Sequence, residues 1–172
     1  QAPTVNAGPD QTITLPAAAP LDGTVSDDGL PAFPDAATYY VSISGNDANP
    51  GTLAQPLRTI QNAASRTVPG DTVFVREGVY AESVTITVSG TSTARITYRS
   101  YPGETPIVDG TGISLSSDLP LVWFQANYIT WDDIDVRDSQ RNGIGANGGN
   151  VTRLEILNSE IYNNGSVSGT QD

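Results

Sequence analysis

Apolar and polar residues alternate along most of this chain, but only in short bursts. "VREGVYAESVTI" (Val75–Ile86) and "ITYRSYPGETPIVDG" (Ile96–Gly110) each place an apolar side chain at every second position for a few residues, then break at Gly, Pro or a charge. A period of two marks a strand with one buried face. The same pattern predicts strands in Thr38–Ile43, Asp71–Val75, Ser83–Val88, Ala94–Ser100, Thr105–Gly110, Leu121–Ala126, Tyr128–Trp131, Asp133–Asp138, Arg153–Leu157 and Ser159–Asn164. One stretch departs from it. "PLRTIQNAASRTV" carries Leu57, Ile60, Ala63 and Ala64 at helical spacing, which predicts a helix over Leu57–Ser65 that ends near "VPGD".

Strands this short and numerous suit a sandwich, a barrel or a solenoid. Internal repetition separates the three. Set at an offset of 25 residues, "YITWDDIDVRDSQ" and "RLEILNSEIYNNG" match Ile129 to Leu154, Trp131 to Ile156, Val136 to Ile161, and Asp138-Ser139 to Asn163-Asn164. The same offset sets Ile96 and Tyr98 over Leu121 and Trp123. Hairpin architectures give no reason for such a repeat, whereas one coil of a β-solenoid requires it. The predicted fold is all-β: a short parallel β-helix of about five coils, with inward side chains stacking and Gly, Asn and Asp at the corners.

Residues 1–35 differ from the rest. They are rich in Pro and Gly, hold little apolar mass, and offer two short extended pieces, Gln11–Leu15 and Leu21–Val25. Such a segment cannot bury enough surface to offset its own ordering entropy. The predicted organisation is an extended arm or linker over 1–35 and a β-helix domain over 36–172.

The residues from Tyr39 to Asn164, above all "YYVSISGNDANPGTLAQPLRTIQNAASRTVPGDTVFVREGVYAESVTI" followed by "ARITYRSYPGETPIVDG", resemble the opening of secreted right-handed parallel β-helix proteins of the pectate-lyase-like superfamily. The resemblance implies a right-handed coil whose first turn is capped by the Leu57–Ser65 helix. Many relatives cleave or epimerise acidic polysaccharides and others only bind or build, so it implies the fold more strongly than the activity. "PTVNAGPDQTITLPAAAPLDGTVSDDG" resembles the first two strands of a PKD-like, immunoglobulin-type module of bacterial surface proteins, with most of that sandwich missing.

Composition narrows the chemistry. The chain has no Cys, Met or His, and its eight basic residues are all Arg, which excludes thiolate sites and most nucleophilic triads. A net charge of -11 argues against nucleic acid as partner, and no apolar run is long enough for membrane insertion. The chain begins at Gln1 without an initiator Met and reads as a processed or excised piece of a secreted, extracellular or surface protein.

Three features could carry function. In "WDDIDVRDS", Ile134 and Val136 face the core, so Asp133, Asp135 and Arg137 share the outer face, with Asp138 beside them. Such carboxylates can ligate Ca²⁺. Lyases of the resembled superfamily pair Ca²⁺ with a Lys or Arg base, and here only Arg137 or Arg141 lies beside the acids; the plainer reading is a solvated face on which Arg137 offsets its neighbours. Trp123, Phe124 and Tyr128 could stack on sugars, while Trp131 belongs in the core by its match to Ile156. Asn142, Asn147, Asn150, Asn163 and Asn164 read as turn residues, and the sequons at Asn150 and Asn164 matter only in a host that glycosylates them.

The last coil, "RLEILNSEIYNNGSVSGTQD", shows no capping helix, so its apolar cross-section calls for a cover. The expectation is a non-catalytic extracellular structural module that assembles head-to-tail with copies of itself. In it Gln11, Thr12, Ile13, Thr14 and Leu15 add a strand to a neighbour's exposed edge, and no cofactor is needed. The alternatives are a Ca²⁺-dependent polysaccharide lyase, or a fragment of one, using Asp133, Asp135, Asp138 and Arg137, and a carbohydrate-binding module.

Overall fold

The computed structural model of the chain describes residues 5–6, 24–25, 36–116, 119–147 and 151–165. It divides into two units, Gln1–Phe33 and Pro34–Asp172. In the first, β1 (Val5–Asn6) and β2 (Thr24–Val25) pair antiparallel, with Val5 opposite Val25. Gln11–Leu15, the expected donor strand, lies outside the described residues.

The second unit is a right-handed parallel β-helix of three sheets. Sheet one holds β3 (Thr38–Val41), β4 (Thr72–Val75), β7 (Ile96–Ser100), β10 (Ile129–Asp132) and β13 (Glu155–Leu157). Sheet two holds β5 (Gly78–Tyr80), β8 (Pro106–Asp109), β11 (Asp135–Arg137) and β14 (Ile161–Tyr162). Sheet three holds β6 (Val84–Ile86), β9 (Val122–Phe124) and β12 (Ile144–Ala146). The chain visits the sheets in that order on each coil, and every pairing in this unit is parallel.

Alternation along each strand becomes inside and outside of the coil. The inner columns run Tyr39–Val73–Tyr98–Trp131–Ile156 in sheet one and Tyr80–Val108–Val136–Ile161 in sheet two. Tyr98, Trp131 and Phe124 form the aromatic centre of the core, with Trp131 6.0 Å from Tyr98 and 5.7 Å from Phe124 between ring centroids. All three are fully buried. The Trp131 indole N–H is satisfied by the Ile134 carbonyl at 3.0 Å, so the large ring fits the core without an orphaned donor. Burial pushes the Tyr98 hydroxyl up to about 12.

The 25-residue step is real but local. It sets Trp131 on Ile156, Val136 on Ile161 and Thr72 on Thr97. It fails for Ile96 and Tyr98, which stack on Ile129 and Trp131, not on Leu121 and Trp123 as the repeat predicted. The cause is the long connection between β8 and β9. It leaves the coil at the corner between sheets two and three and returns in phase, tucking Ile113 and Leu115 against the core. An insertion at a corner changes the spacing in sequence and leaves the rung-on-rung stacking intact.

Corners repeat with the rungs. Tyr128, Asp133 and Asp138 take positive φ (56°, 58°, 52°), and 25 residues later so do Arg153, Asn158 and Asn163 (61°, 53°, 53°). Asp and Asn tolerate this left-handed conformation at modest cost, whereas Tyr128 and Arg153 do not. Gly110 meets a different demand: a Cβ there would lie 2.6 Å from the Ser139 Cα of the next coil.

The predicted helix is present but shorter, α1 (Ile60–Ala64). Thr59 caps it, accepting the Asn62 N–H on its hydroxyl, and Ile60, Ala63 and Ala64 are buried. Leu57 shares their apolar face for another reason: it forms a parallel bridge to Val41. Among the described strands, β12 escaped the pattern, and β5 falls inside the Val75–Ile86 alternation without being delimited by it; both are short and contain glycine.

Candidate functional site

The acidic run sits where its alternation placed it. Ile134 and Val136 are fully buried, and Asp133, Asp135 and Arg137 leave the outer side. Each is held by a neighbouring rung. Asp133 accepts the Ser100 hydroxyl, Asp135 accepts the Glu160 N–H at 2.9 Å, and Arg137 Nε donates to Asp109 Oδ2 at 2.8 Å with Asp138 Oδ2 3.3 Å away. Among the described residues, no three carboxylates gather where they could hold a metal ion. The Tyr162 hydroxyl and the Asp109 carboxylate hold the Arg137 guanidinium more firmly protonated than usual, which makes it a poorer proton acceptor. Burial pushes the Asp109 carboxyl up, but Thr111 and Arg137 outweigh it and keep the group below its ordinary range. Arg141 is exposed on the turn that follows, its main-chain N–H on the Ser139 hydroxyl at 3.2 Å.

The aromatic candidates part company. Trp123 is half-buried on the outside of β9. Tyr128 is half-buried at a corner, where its positive φ is shared by the equivalent Arg153 and so belongs to the corner and not to a site. Phe124 is fully buried edge-on to Trp131, which removes it from any sugar-binding face, because parity along β9 sends it inward.

A different aromatic group stands on the outer face of sheet one. The outward columns there are Thr38–Thr72–Thr97–Thr130–Glu155 and Tyr40–Phe74–Arg99–Asp132–Leu157. Tyr40 and Phe74 stack at 5.7 Å with planes 17° apart, and Tyr101, just past β7, meets them at 6.2 and 5.9 Å. Arg76 lies over the Tyr101 ring, 4.5 Å from its centroid, and clasps Glu104 through Nε and Nη2. Further along, Arg99 pairs with Asp132 at 3.3 Å. Sequence reasoning missed this group because its members lie far apart in the chain and only the strand register unites them.

The two ends of the stack differ. At the first coil, the backbone of the following loop covers β3: Tyr40 N–H donates to the Gly51 carbonyl (2.7 Å), and Leu57 N–H donates to the Tyr40 carbonyl (2.9 Å). On sheet three the Gln61 side chain replaces a strand, its Oε1 accepting the Thr85 N–H at 2.6 Å and its Nε2 donating to the Thr85 carbonyl at 3.3 Å. Glu82 answers in the other direction, taking the Ile60 and Gln61 N–H groups on its two oxygens. Burial nonetheless pushes the Glu82 carboxyl above its ordinary range. A shallow cleft of about 190 Å³ lies beside this cap, between Ile43, Arg58, Val79 and Glu82. At the last rung, Ile156 and Ile161 remain 37% and 45% exposed although they are in register with fully buried Trp131 and Val136. They point along the core with nothing described on top of them.

Comparison with known proteins agrees with this geometry. The family described as "Pel9A-like, right handed beta helix region" matches residues 39–171. Pectate lyase PEL9 of Emericella nidulans is 42% identical over 77 residues, 44% of this chain and 19% of that protein. Pectate lyase L of Paenibacillus polymyxa is 29% identical over 160 residues, 91% of this chain and 34% of that protein. The crystal structure of pectate lyase Pel9A superposes with a TM-score of 0.57 at 18% identity, over 74% of this chain and 40% of that one, a likeness of fold. The chain thus spans between about a fifth and a third of the length of the curated relatives it matches.

Proposed function

Because the chain belongs to the Pel9A-like right-handed β-helix family, we propose that its coils form the capped first section of the β-helix of a secreted polysaccharide lyase acting on an acidic polysaccharide. The groups that cleave the substrate would then sit on further coils. The observation that carries this reading is the asymmetry of the ends. The first coil has its strand edges filled by Gly51, Leu57 and Gln61, while Ile156 and Ile161 offer a core cross-section ready for another rung. The curated relatives supply the substrate class by name and are more than twice as long as this chain.

A head-to-tail filament would draw on the same exposed end. It also needs a receptive surface on the first coil, where α1 and the loop before it already occupy the edges, and this favours continuation over polymerisation. Among the described residues, Asp133, Asp135 and Asp138 are not gathered into a cluster of three carboxylates. The test is to express the longer gene product beside the 172-residue chain and follow unsaturated uronate released from polygalacturonate, alginate and glycosaminoglycans, with calcium and with chelator. The longer product releases it and the short chain does not. Filaments of the short chain under the electron microscope, or a longer product inert on every acidic polysaccharide, would overturn the proposal.

A further inference from the structure

We propose that Tyr40, Phe74 and Tyr101 form a stacking platform for an uncharged pyranose residue. The proposal rests on the carbohydrate-active reading above only for the class of ligand.

The three rings are half-buried and held against one another at 5.7 to 6.2 Å, and Arg76, locked in turn by Glu104, lies over one face of the Tyr101 ring and leaves Tyr40 and Phe74 as the main stacking surfaces. Rings braced in this way lose little conformational freedom when a ligand arrives, which is the condition for stacking to yield affinity. An aromatic cluster on the outside of a sheet contributes nothing to the core, which already has Tyr98, Phe124 and Trp131. The apolar C–H face of a pyranose is flat and matches a ring face, while its hydroxyls need polar neighbours at the edge. The adjoining column supplies them: Thr38, Thr72 and Thr97 stand on successive rungs, about 4.8 Å apart as parallel strands dictate.

Charge selects the kind of sugar. A uronate needs a cation to spare, and in a chain of net charge -11 the cations of this strip are already committed, Arg76 to Glu104 and Arg99 to Asp132. Burying a carboxylate beside Glu104 and Asp132 without a partner is unfavourable, whereas an uncharged ring meets no such cost. The platform therefore suits the neutral sugars of a mixed polysaccharide and holds them beside an acidic backbone.

Isothermal titration of the purified chain with xylohexaose, cellohexaose and hexagalacturonate tests this. At least one neutral hexaose binds, and hexagalacturonate binds at least about tenfold more weakly. Phe74→Ala and Tyr40→Ala each reduce that affinity by about tenfold, the usual worth of a stacked ring, while Val79→Ala, exposed on the outer face of sheet two, leaves it unchanged. Should Phe74→Ala lose its native circular dichroism, Phe74→Leu keeps the apolar bulk without the flat face and must show the same loss. No binding of neutral hexaose at millimolar concentration, a preference for hexagalacturonate, or affinity indifferent to Tyr40 and Phe74 would overturn the platform. Each of those results leaves uronate release by the longer product unaffected, so failure here and failure of the lyase reading are read separately.

Discussion

Gln61 is the most informative residue to change, because one side chain substitutes for a missing strand. In Gln61→Leu the side-chain volume is nearly kept, but the Thr85 N–H loses its 2.6 Å acceptor and the Thr85 carbonyl its 3.3 Å donor. An unmade hydrogen bond at a fully buried donor costs about 1–3 kcal/mol. Thr85 is half-buried, which argues for about 1 kcal/mol for the N–H and about 0.5 kcal/mol for the longer carbonyl contact. Leucine recovers a few tenths through apolar burial, leaving a net loss of roughly 1–1.5 kcal/mol. Urea denaturation followed by circular dichroism measures the total, and amide exchange at Thr85 localises it, with protection falling there more than at the core strands. Gln61→Glu retains the acceptor but turns a carboxylate oxygen toward the Thr85 carbonyl and adds charge beside Glu82, so it too should be less stable than the native chain. The reasoning is refuted if Gln61→Leu is as stable as the native chain, or if Thr85 exchanges no faster in it. A dimer by size exclusion in Gln61→Leu alone would add that the amide also keeps the edge from pairing with another chain.

The other predictions concern the cap, a corner and the core. Asp47 accepts the Arg58 and Thr59 N–H groups and the Thr59 hydroxyl. Burial pushes its carboxyl up, but these bonds and Arg66 outweigh it and leave the group lowered. A lowered carboxyl contributes stability that is full above its unfolded value and is lost as the pH falls through the folded one. Asp47→Asn should therefore flatten the acid limb of a stability profile below about pH 4 while lowering stability at pH 7. Arg153→Asn, at a φ of 61°, should raise stability by roughly 0.5–1 kcal/mol in thermal unfolding, since asparagine accepts the left-handed corner that arginine resists. Trp131→Ala should cost about 3–5 kcal/mol in denaturant titration, because it empties the centre of the aromatic core. Asn62→Ala should match or exceed the native stability, since the buried Asn62 Oδ1 has no partner among the described residues and alanine is the better helix former.

The solenoid was legible because its signal is doubled: alternation within each strand, and stacking between strands at a matched offset. Trp131 over Ile156 and Val136 over Ile161 were read correctly from the chain because no insertion separates those rungs. Ile96 over Leu121 was misread because the connection after β8 shifts the sequence spacing without shifting the stack. The helix was overextended by Leu57, whose apolar side chain has the right spacing but whose backbone is extended against Val41. Alternation leaves one of Trp123 and Phe124 inside without saying which, and packing against Trp131 decides that it is Phe124. The Tyr40–Phe74–Tyr101 group was invisible to any local window, since each ring lies in a separate strand segment and only correct register across the insertion-prone coils brings them together.

Register also explains how one face can change character along the axis of the solenoid. The column that begins with Tyr40 and Phe74 continues through Arg99 and Asp132 to Leu157. Rung by rung it passes from aromatic to ion-paired to aliphatic. Each rung contributes one residue, so a substitution alters one step of the strip, about 4.8 Å long, and leaves the inner column untouched. The core constrains only the inward positions, and the corners constrain only those that need positive φ. The outward columns are thus free to vary at fixed fold. In a protein of this build, the chemistry of an outer face is set by the order of residues down its outward columns. The aromatic rungs of this chain lie next to its sealed first coil, and the rungs that any further coil would extend are the ion-paired and aliphatic ones.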